Sequence, residues 1–433
     1  MEFVASRFRK YIENVSWLIF EKGFSLFVGL VVNVSVARYL RPENYGLLNY
    51  ALSFVSIFAA FSTLGIDQIM VRELAKEPEK KDDLLGTGFV IKLGGSSLTI
   101  VLMMLSAAWM EHGAFTNVLI VIIAAAEIFK AFEVINYFFQ SQVMSKFVVQ
   151  VQLGINLIIS LSKLGLVFLH APLIWFAIIV VIGTLLNAVG YVYAYRARNL
   201  GIPQNWTFRR SLATQLLRES WPLALYGVAL NIQARIDQVM LGNMMSNYEV
   251  GQYSVALKFI EIFGFVPVIL MSTFMPAITK AKVTGTELYH SRLVNLYRLM
   301  FLAFLLVELP VYFFSKDVIV LLYGHEFEAA GFLLSLFSLR LFFSNMGVAK
   351  SVFIVNESLF KYSLLTVIVG AVANITLNFI LIPRYGPVGA IIASMLSFLT
   401  SIFLLDLLFE KTRFNQKLML RGIWTFWKLN NVS

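Results

Sequence analysis

The stretch "ALNIQARIDQVMLG" (229–242) sets Arg235 and Asp237 in the middle of a run otherwise apolar enough to cross a bilayer, with Asn231, Gln233 and Gln238 beside them. A charge at that depth costs about 2.5–3.5 kcal/mol on insertion scales, so it is kept where it meets an ion, a polar ligand or another charge. The pattern recurs along the chain. Lys22, Lys92, Lys163, Arg235 and Arg340 all interrupt apolar runs, and none has an acidic residue three or four positions away. Cations of this kind face a wet cavity or pair with groups on another helix. Polar stripes accompany them at helical spacing: Gln152, Asn156, Ser160 and Lys163 fall on one helix face, and Asn231, Arg235 and Gln238 on another. Glu21 and Asp237 neighbour two of the cations and are the carboxylates placed to orient or neutralise them. Other interior charges have local partners. Glu127, Lys130 and Glu133, and likewise Lys258 and Glu261, are spaced for i,i+3 ion pairs. Arg298 and Lys350 lie near span ends, where long side chains reach the interface by snorkelling.

The elements that must carry these residues are membrane helices. Of the 433 residues, 59% are hydrophobic and 14% charged, and the mean hydropathy is +0.77. A soluble protein carries about 25% charged residues. Runs near 20 apolar residues predict about twelve spans: 14–37, 46–66, 84–109, 116–139, 147–169, 172–195, 221–243, 251–277, 292–314, 328–354, 361–382 and 388–409. The fold class expected is an all-α integral membrane protein. Turn residues in "RPENYG", "NLGIPQNW" and "PRYGPVG" mark loops. Glu21 and Lys22 break the first apolar run, which reads as a retained span and not as a cleavable signal.

Orientation follows from the basic residues. With these spans, 22 Lys and Arg fall on one side and only Arg38, Arg41, Lys316 and Arg384 on the other. Positive-inside bias then places both termini in the cytoplasm. The same loops account for the net charge of +10 without nucleic-acid binding. Cysteine is absent, which excludes disulfides and thiolate metal sites. The four histidines fall in loops or at a span edge, no HExxH, P-loop or nucleophile elbow occurs, and the outer loops are short. No catalytic residue, metal site or cofactor is expected.

"YGLLNYALSF" (45–54) resembles "VGQYSVALKF" (250–259), with Gly46 matching Gly251 at an offset of 205 residues. With the polar break at 196–220, this suggests parallel repeats related by an axis along the membrane normal. The organisation expected is a six-helix lobe over 1–198, a cytoplasmic linker over 199–217, a second six-helix lobe over 218–410, and a basic tail over 411–433, either an amphipathic helix suited to an anionic membrane surface or a disordered basic segment.

The segments "VARYLRPENYGLLNYALSFVSIFAAFSTLGIDQIMVREL", "RIDQVMLG", "VGQYSVALKF" and "RYGPVGAIIAS" resemble marker segments of polysaccharide biosynthesis proteins, the lipid-linked oligosaccharide flippases of the O-antigen repeat-unit type. These belong to the multidrug/oligosaccharidyl-lipid/polysaccharide exporter superfamily. The resemblance covers residues 8 to 410. It implies two six-helix lobes around a central cavity. It also implies translocation of undecaprenyl-pyrophosphate-linked oligosaccharide across a bacterial plasma membrane, alongside other membrane proteins of polysaccharide assembly. Under that reading Lys22, Lys92, Lys163, Arg235 and Arg340 contact the pyrophosphate. Asn49, Asn156, Asn231, Gln238, Asn374 and Asn378 are the candidates for sugar hydroxyls, and Glu21 and Asp237 for coupling to an ion. The alternatives are a drug exporter of the same superfamily, which favours an anionic cavity, and a membrane-bound polymerase or other enzyme of the pathway, which needs a large outer loop or a buried histidine.

Overall fold

The computed structural model describes residues 2–109, 113–198, 200–201 and 203–428, with side chains from residue 23 onward except at 24, 27, 107–109 and 203. Among these residues there is no strand. The helices are α1 (Glu2–Thr63), α2 (Asp67–Lys76), α3 (Lys81–Trp109), α4 (Ala114–Phe129), α5 (Val134–Ser141), α6 (Ser145–Phe168), α7 (Leu173–Ala197), α8 (Arg210–Met244), α9 (Asn247–Phe263), α10 (Phe265–Thr284), α11 (Thr286–Tyr323), α12 (Glu328–Ser338), α13 (Arg340–Asn356), α14 (Phe360–Leu399) and α15 (Glu410–Trp424). Seven helical stretches among the described residues are long and apolar enough to cross a membrane, so the chain is a multi-pass membrane protein. Three of them run 38 to 49 residues, more than one crossing requires. Two have a physical break inside. Helix α1 turns at Arg41 (φ 60°), just before Pro42, and α14 at Gly386 (φ 56°), just before Pro387. Proline removes a helix donor and pushes the preceding residue out of the α region. These are the "RPENYG" and "PRYGPVG" turns.

The chain forms two compact units. The first comprises residues 1–40 and 47–231, the second 41–46 and 232–433. The first unit's core gathers Ile66, Met70, Leu74, Phe138, Phe139 and Tyr195. Polar ties flank it: the Arg72 guanidinium donates to Glu219, and Arg209 pairs with Asp83 at 2.7 Å. Donation from Arg72, and then from Gln215, holds the Glu219 carboxyl below the usual carboxylate range. A depressed carboxyl adds stability above its unfolded pKa and loses it as pH falls through the folded value. Hydrogen exchange over 210–219, corrected for intrinsic rates, should therefore stay flat above about pH 5 and accelerate below about pH 4. Glu219→Gln should remove that dependence, and an equally steep acid response in the variant would assign it elsewhere.

The second unit contains the six residues that α1 contributes at its turn. They pack so closely that a Cβ on Gly46 would overlap the Asn247 carbonyl, and one on Gly251 would overlap the Pro42 carbonyl. Residue 42 stands 205 positions before 247, as Gly46 does before Gly251. The contact is therefore reciprocal between equivalent positions. Tyr45, 2% exposed, sets its ring edge-on to Phe327 with centroids 6.0 Å apart.

The tail is helical as α15. It buries Thr412, Asn415, Leu418, Met419 and Gly422, with Gly422 against Tyr297 of α11 and the Tyr297 hydroxyl donating to Asn415 Oδ1 at 2.9 Å. The opposite face exposes Arg413, Lys417 and Arg421, one turn apart, together with Leu420 and Trp424.

This docking changes two expectations. Arg298, 6% exposed, does not snorkel: it donates to Asn295 Oδ1 at 2.8 Å and to Thr425 Oγ1 at 2.8–3.0 Å. Lys350 is also buried, its ammonium 2.5 Å from Asp406 Oδ1 and 3.1 Å from the Ile402 carbonyl. That carbonyl is available because α14 ends in a π-turn over Thr400–Leu404, which misaligns the backbone acceptors.

Candidate functional site

In the first unit several interior charges pair across helices. Lys92 is 0% exposed; its ammonium donates to Glu133 Oε2 at 2.7 Å and to the Tyr137 hydroxyl at 2.6 Å. Tyr137 in turn donates to Asp67 Oδ1 at 2.7 Å. Glu127 takes Lys130 at 2.7 Å and the Ser62 hydroxyl at 3.1 Å. The network gathers at the 3₁₀ break Lys130–Glu133 between α4 and α5. The expected Glu127–Lys130 pair is present, but Glu133 turns to Lys92. Lys92 is thus an interhelical structural cation and not an open anion contact. Lys163 is half-buried on α6, and Asn156 of the same helix donates to Ser25 Oγ at 3.2 Å. The side chains of Glu21 and Lys22 lie outside the described residues.

The second unit holds two polar centres. In the first, Glu261 joins two cations: Arg235 Nη1 lies 2.9 Å from Oε1 and Lys258 Nζ 3.2 Å from Oε2. Arg340 adds to the positive field at the same carboxylate. Its guanidinium lies over the rings of Phe398 at 4.9 Å and Phe337 at 5.9 Å. Two cations thus share one carboxylate in partly open surroundings, with a third within electrostatic range. Arg340 also acts on Tyr253, whose hydroxyl donates to Asp237, so two carboxylates stand near the three cations and one positive charge is in excess.

In the second centre Asp237, 1% exposed, accepts from the Tyr253 hydroxyl at 2.5 Å, Ser394 Oγ at 2.5 Å and Asn378 Nδ2 at 2.7 Å. Asp237 does not orient Arg235, as the sequence reading expected. Residues two apart on a helix point to opposite sides, so Arg235 finds Glu261 while Asp237 meets neutral donors. Buried Oδ1 atoms of Asn374 and Asn378 have no hydrogen-bond partner.

The amide candidates separate accordingly. Gln238 donates to Ser254 at 2.5 Å, Asn374 to Ser394 at 3.5 Å and Asn378 to Asp237, and all three are buried. Asn49 is buried too. They serve helix packing and cannot reach a sugar in this conformation. Asn231, half-buried and donating to the Gly227 carbonyl at 3.0 Å, and Asn156 are the more open ones. Glu261 itself was missed as a site residue, because its i,i+3 spacing to Lys258 already explained it.

The pattern that describes polysaccharide biosynthesis proteins matches residues 11–282, well over half of the sequence. The chain belongs to the polysaccharide biosynthesis protein family. A family relative, the capsular polysaccharide biosynthesis protein CapF of Staphylococcus aureus, is 18% identical over 390 residues, covering 89% of this chain and 96% of CapF. Among solved structures, an inward-facing multidrug resistance MATE family transporter of the MOP superfamily matches with TM-score 0.68 and 14% identity, over 93% of this chain and 96% of that one. The lipid II flippase MurJ, in its inward closed conformation, matches with TM-score 0.66 and 15% identity, over 95% and 92%. The family member described here therefore has the fold of the MOP-superfamily transporters.

Proposed function

We propose that this chain is a flippase that moves an undecaprenyl-pyrophosphate-linked oligosaccharide repeat unit from the inner to the outer leaflet of the plasma membrane by alternating access. The observation that carries the reading is the excess of cations over carboxylates at Arg235, Lys258 and Arg340. Pyrophosphate is the strongly charged part of such a substrate, and charge-assisted contacts offset its desolvation. The mechanism needs only modest coupling. The cell interior is negative, so an anion moves outward with about 2.3 kcal/mol per charge per 100 mV in its favour. Asp237, a buried carboxylate held by the Tyr253, Ser394 and Asn378 donors, is the candidate for coupling to an ion as the empty carrier returns. The 22-to-4 division of basic residues supports cytoplasmic termini, and the exposed basic and aromatic face of α15 supports a tail resting on anionic lipid. The division of the chain into two compact units, though not at the lobe bounds expected from the sequence, supports a two-lobe carrier. Asp237 is also what favours the second reading, an exporter of cationic drugs.

The test is flipping in liposomes. Asn205→Cys on the cysteine-free background reports orientation, which is expected to be cytoplasmic. Arg235→Ala and Arg340→Ala should each slow flipping of a pyrophosphate-linked glycan by roughly 10- to 100-fold, the effect of losing one hydrogen bond to a charged group. Asp237→Asn should slow it more than Glu308→Gln. An imposed potential should change the rate more than a pH step. Arginine variants that flip at the wild-type rate, or transport of a lipophilic cation that competes with the glycan, would favour the drug exporter.

A further inference from the structure

Resting on that reading, we infer that Glu261 is the carrier's internal counter-anion: in the empty protein its carboxylate occupies the cations that the substrate's phosphate takes when it enters. Its two oxygens are divided between two cations, Oε1 to Arg235 and Oε2 to Lys258. Adjacent oxygens of a phosphate would engage the same pair in the same way. The site is also accessible. The side chains of Arg235, Lys258 and Glu261 are 25%, 39% and 35% exposed, whereas the Lys350–Asp406 pair is 7% and 0% exposed. The latter is locked into the packing; the Glu261 group can exchange partners.

Glu261 can move through its own side-chain torsions. It lies in the last turn of α9, its carbonyl accepting from the Gly264 N–H at 3.1 Å. Gly264 separates α9 from α10, and Pro267 follows. A glutamate side chain changes rotamer without moving the backbone, so its carboxylate can leave the two cations while the helix stays in place. The arrangement meets two needs of a carrier. Unmatched interior cations destabilise the empty state, and Glu261 matches one of them. A bare cluster of three cations would also hold a pyrophosphate too tightly to release it. A resident carboxylate makes binding an exchange of one anion for another, so a dianionic phosphate enters favourably and leaves when Glu261 returns. Arg340, which makes no ion pair among the described residues, provides the surplus charge that favours the more highly charged guest.

The experiment measures binding of inorganic pyrophosphate to the purified full-length protein. Glu261→Gln, which keeps shape and removes charge, should bind roughly tenfold more tightly or better, while glycan flipping slows because release is impaired. Arg235→Ala should lose binding. Glu261→Gln that binds no more tightly while Arg235→Ala loses binding would overturn the role of Glu261 and leave the flippase reading standing. Equal pyrophosphate affinity in wild type and Arg235→Ala would remove the anion site itself. Wild-type protein supplies a second readout that does not depend on the variant folding. Pyrophosphate should raise the reactivity of Glu261 toward a water-soluble carbodiimide, read by peptide mass spectrometry, because the displaced carboxylate is freed. Protection of Glu261 by pyrophosphate would contradict displacement.

Discussion

Replacing Asp406 with Ala is expected to lower the stability of the second unit by about 3–5 kcal/mol, the range seen when one partner of a buried ion pair is removed. Asp406 is 0% exposed, and its Oδ1 accepts from Lys350 at 2.5 Å and from the Tyr362 hydroxyl. Without it, the Lys350 ammonium keeps only the Ser401 and Ile402 carbonyls, at 3.4 and 3.1 Å. In detergent, the melting temperature should fall by about 6–20 °C, at about 2–4 °C per kcal/mol for a unit of this size. The double variant Lys350→Met with Asp406→Leu should regain most of the loss, since apolar replacements of a whole buried pair are often neutral or better. An Asp406→Ala variant that melts with the wild type would mean that the pair contributes nothing.

The second large effect concerns the crossing of residues 41–46 with the start of α9. Gly46→Ala and Gly251→Ala should each destabilise by about 1–3 kcal/mol, toward the upper end, because overpacking here meets backbone and not a side chain that could turn away. The obstacles are the Asn247 and Pro42 carbonyls. Because both substitutions push apart one crossing, the double variant should lose less than the sum of the two. Gly94→Ala is the control: it lies within α3 with open space around its Cβ position, and Ala there should be neutral or stabilising by up to about 1 kcal/mol. If Gly46→Ala behaves like Gly94→Ala, the close crossing does not hold in solution.

Much of this architecture is written in local sequence. Apolar run length marks the helices, and the Arg41-Pro42 and Gly386-Pro387 steps mark the turns inside α1 and α14. The i,i+3 spacing correctly paired Glu127 with Lys130 and Lys258 with Glu261. What local spacing cannot see is a partner on another helix. Lys92 meets Glu133, 41 residues on, and Lys350 meets Asp406, 56 residues on. Both therefore read as lone or snorkelling charges. A polar stripe is equally ambiguous, since a face that lines a cavity and a face that packs on another helix need the same residue types. Asn374 and Asn378 turned out to be of the second kind.

The membership of residues 41–46 in the second unit bears on how the molecule is made. During synthesis this segment leaves the ribosome some 200 residues before the helix it packs against begins at Asn247. Tyr45 then waits, without its Phe327 neighbour, until most of the protein exists. A chain cut in the polar connection near residue 205 would not yield two self-sufficient halves, because the C-terminal fragment would lack a piece of its own interior. Completion of the second unit therefore needs the segment around residues 41–46 to be present, whether in the same chain or supplied by the N-terminal fragment.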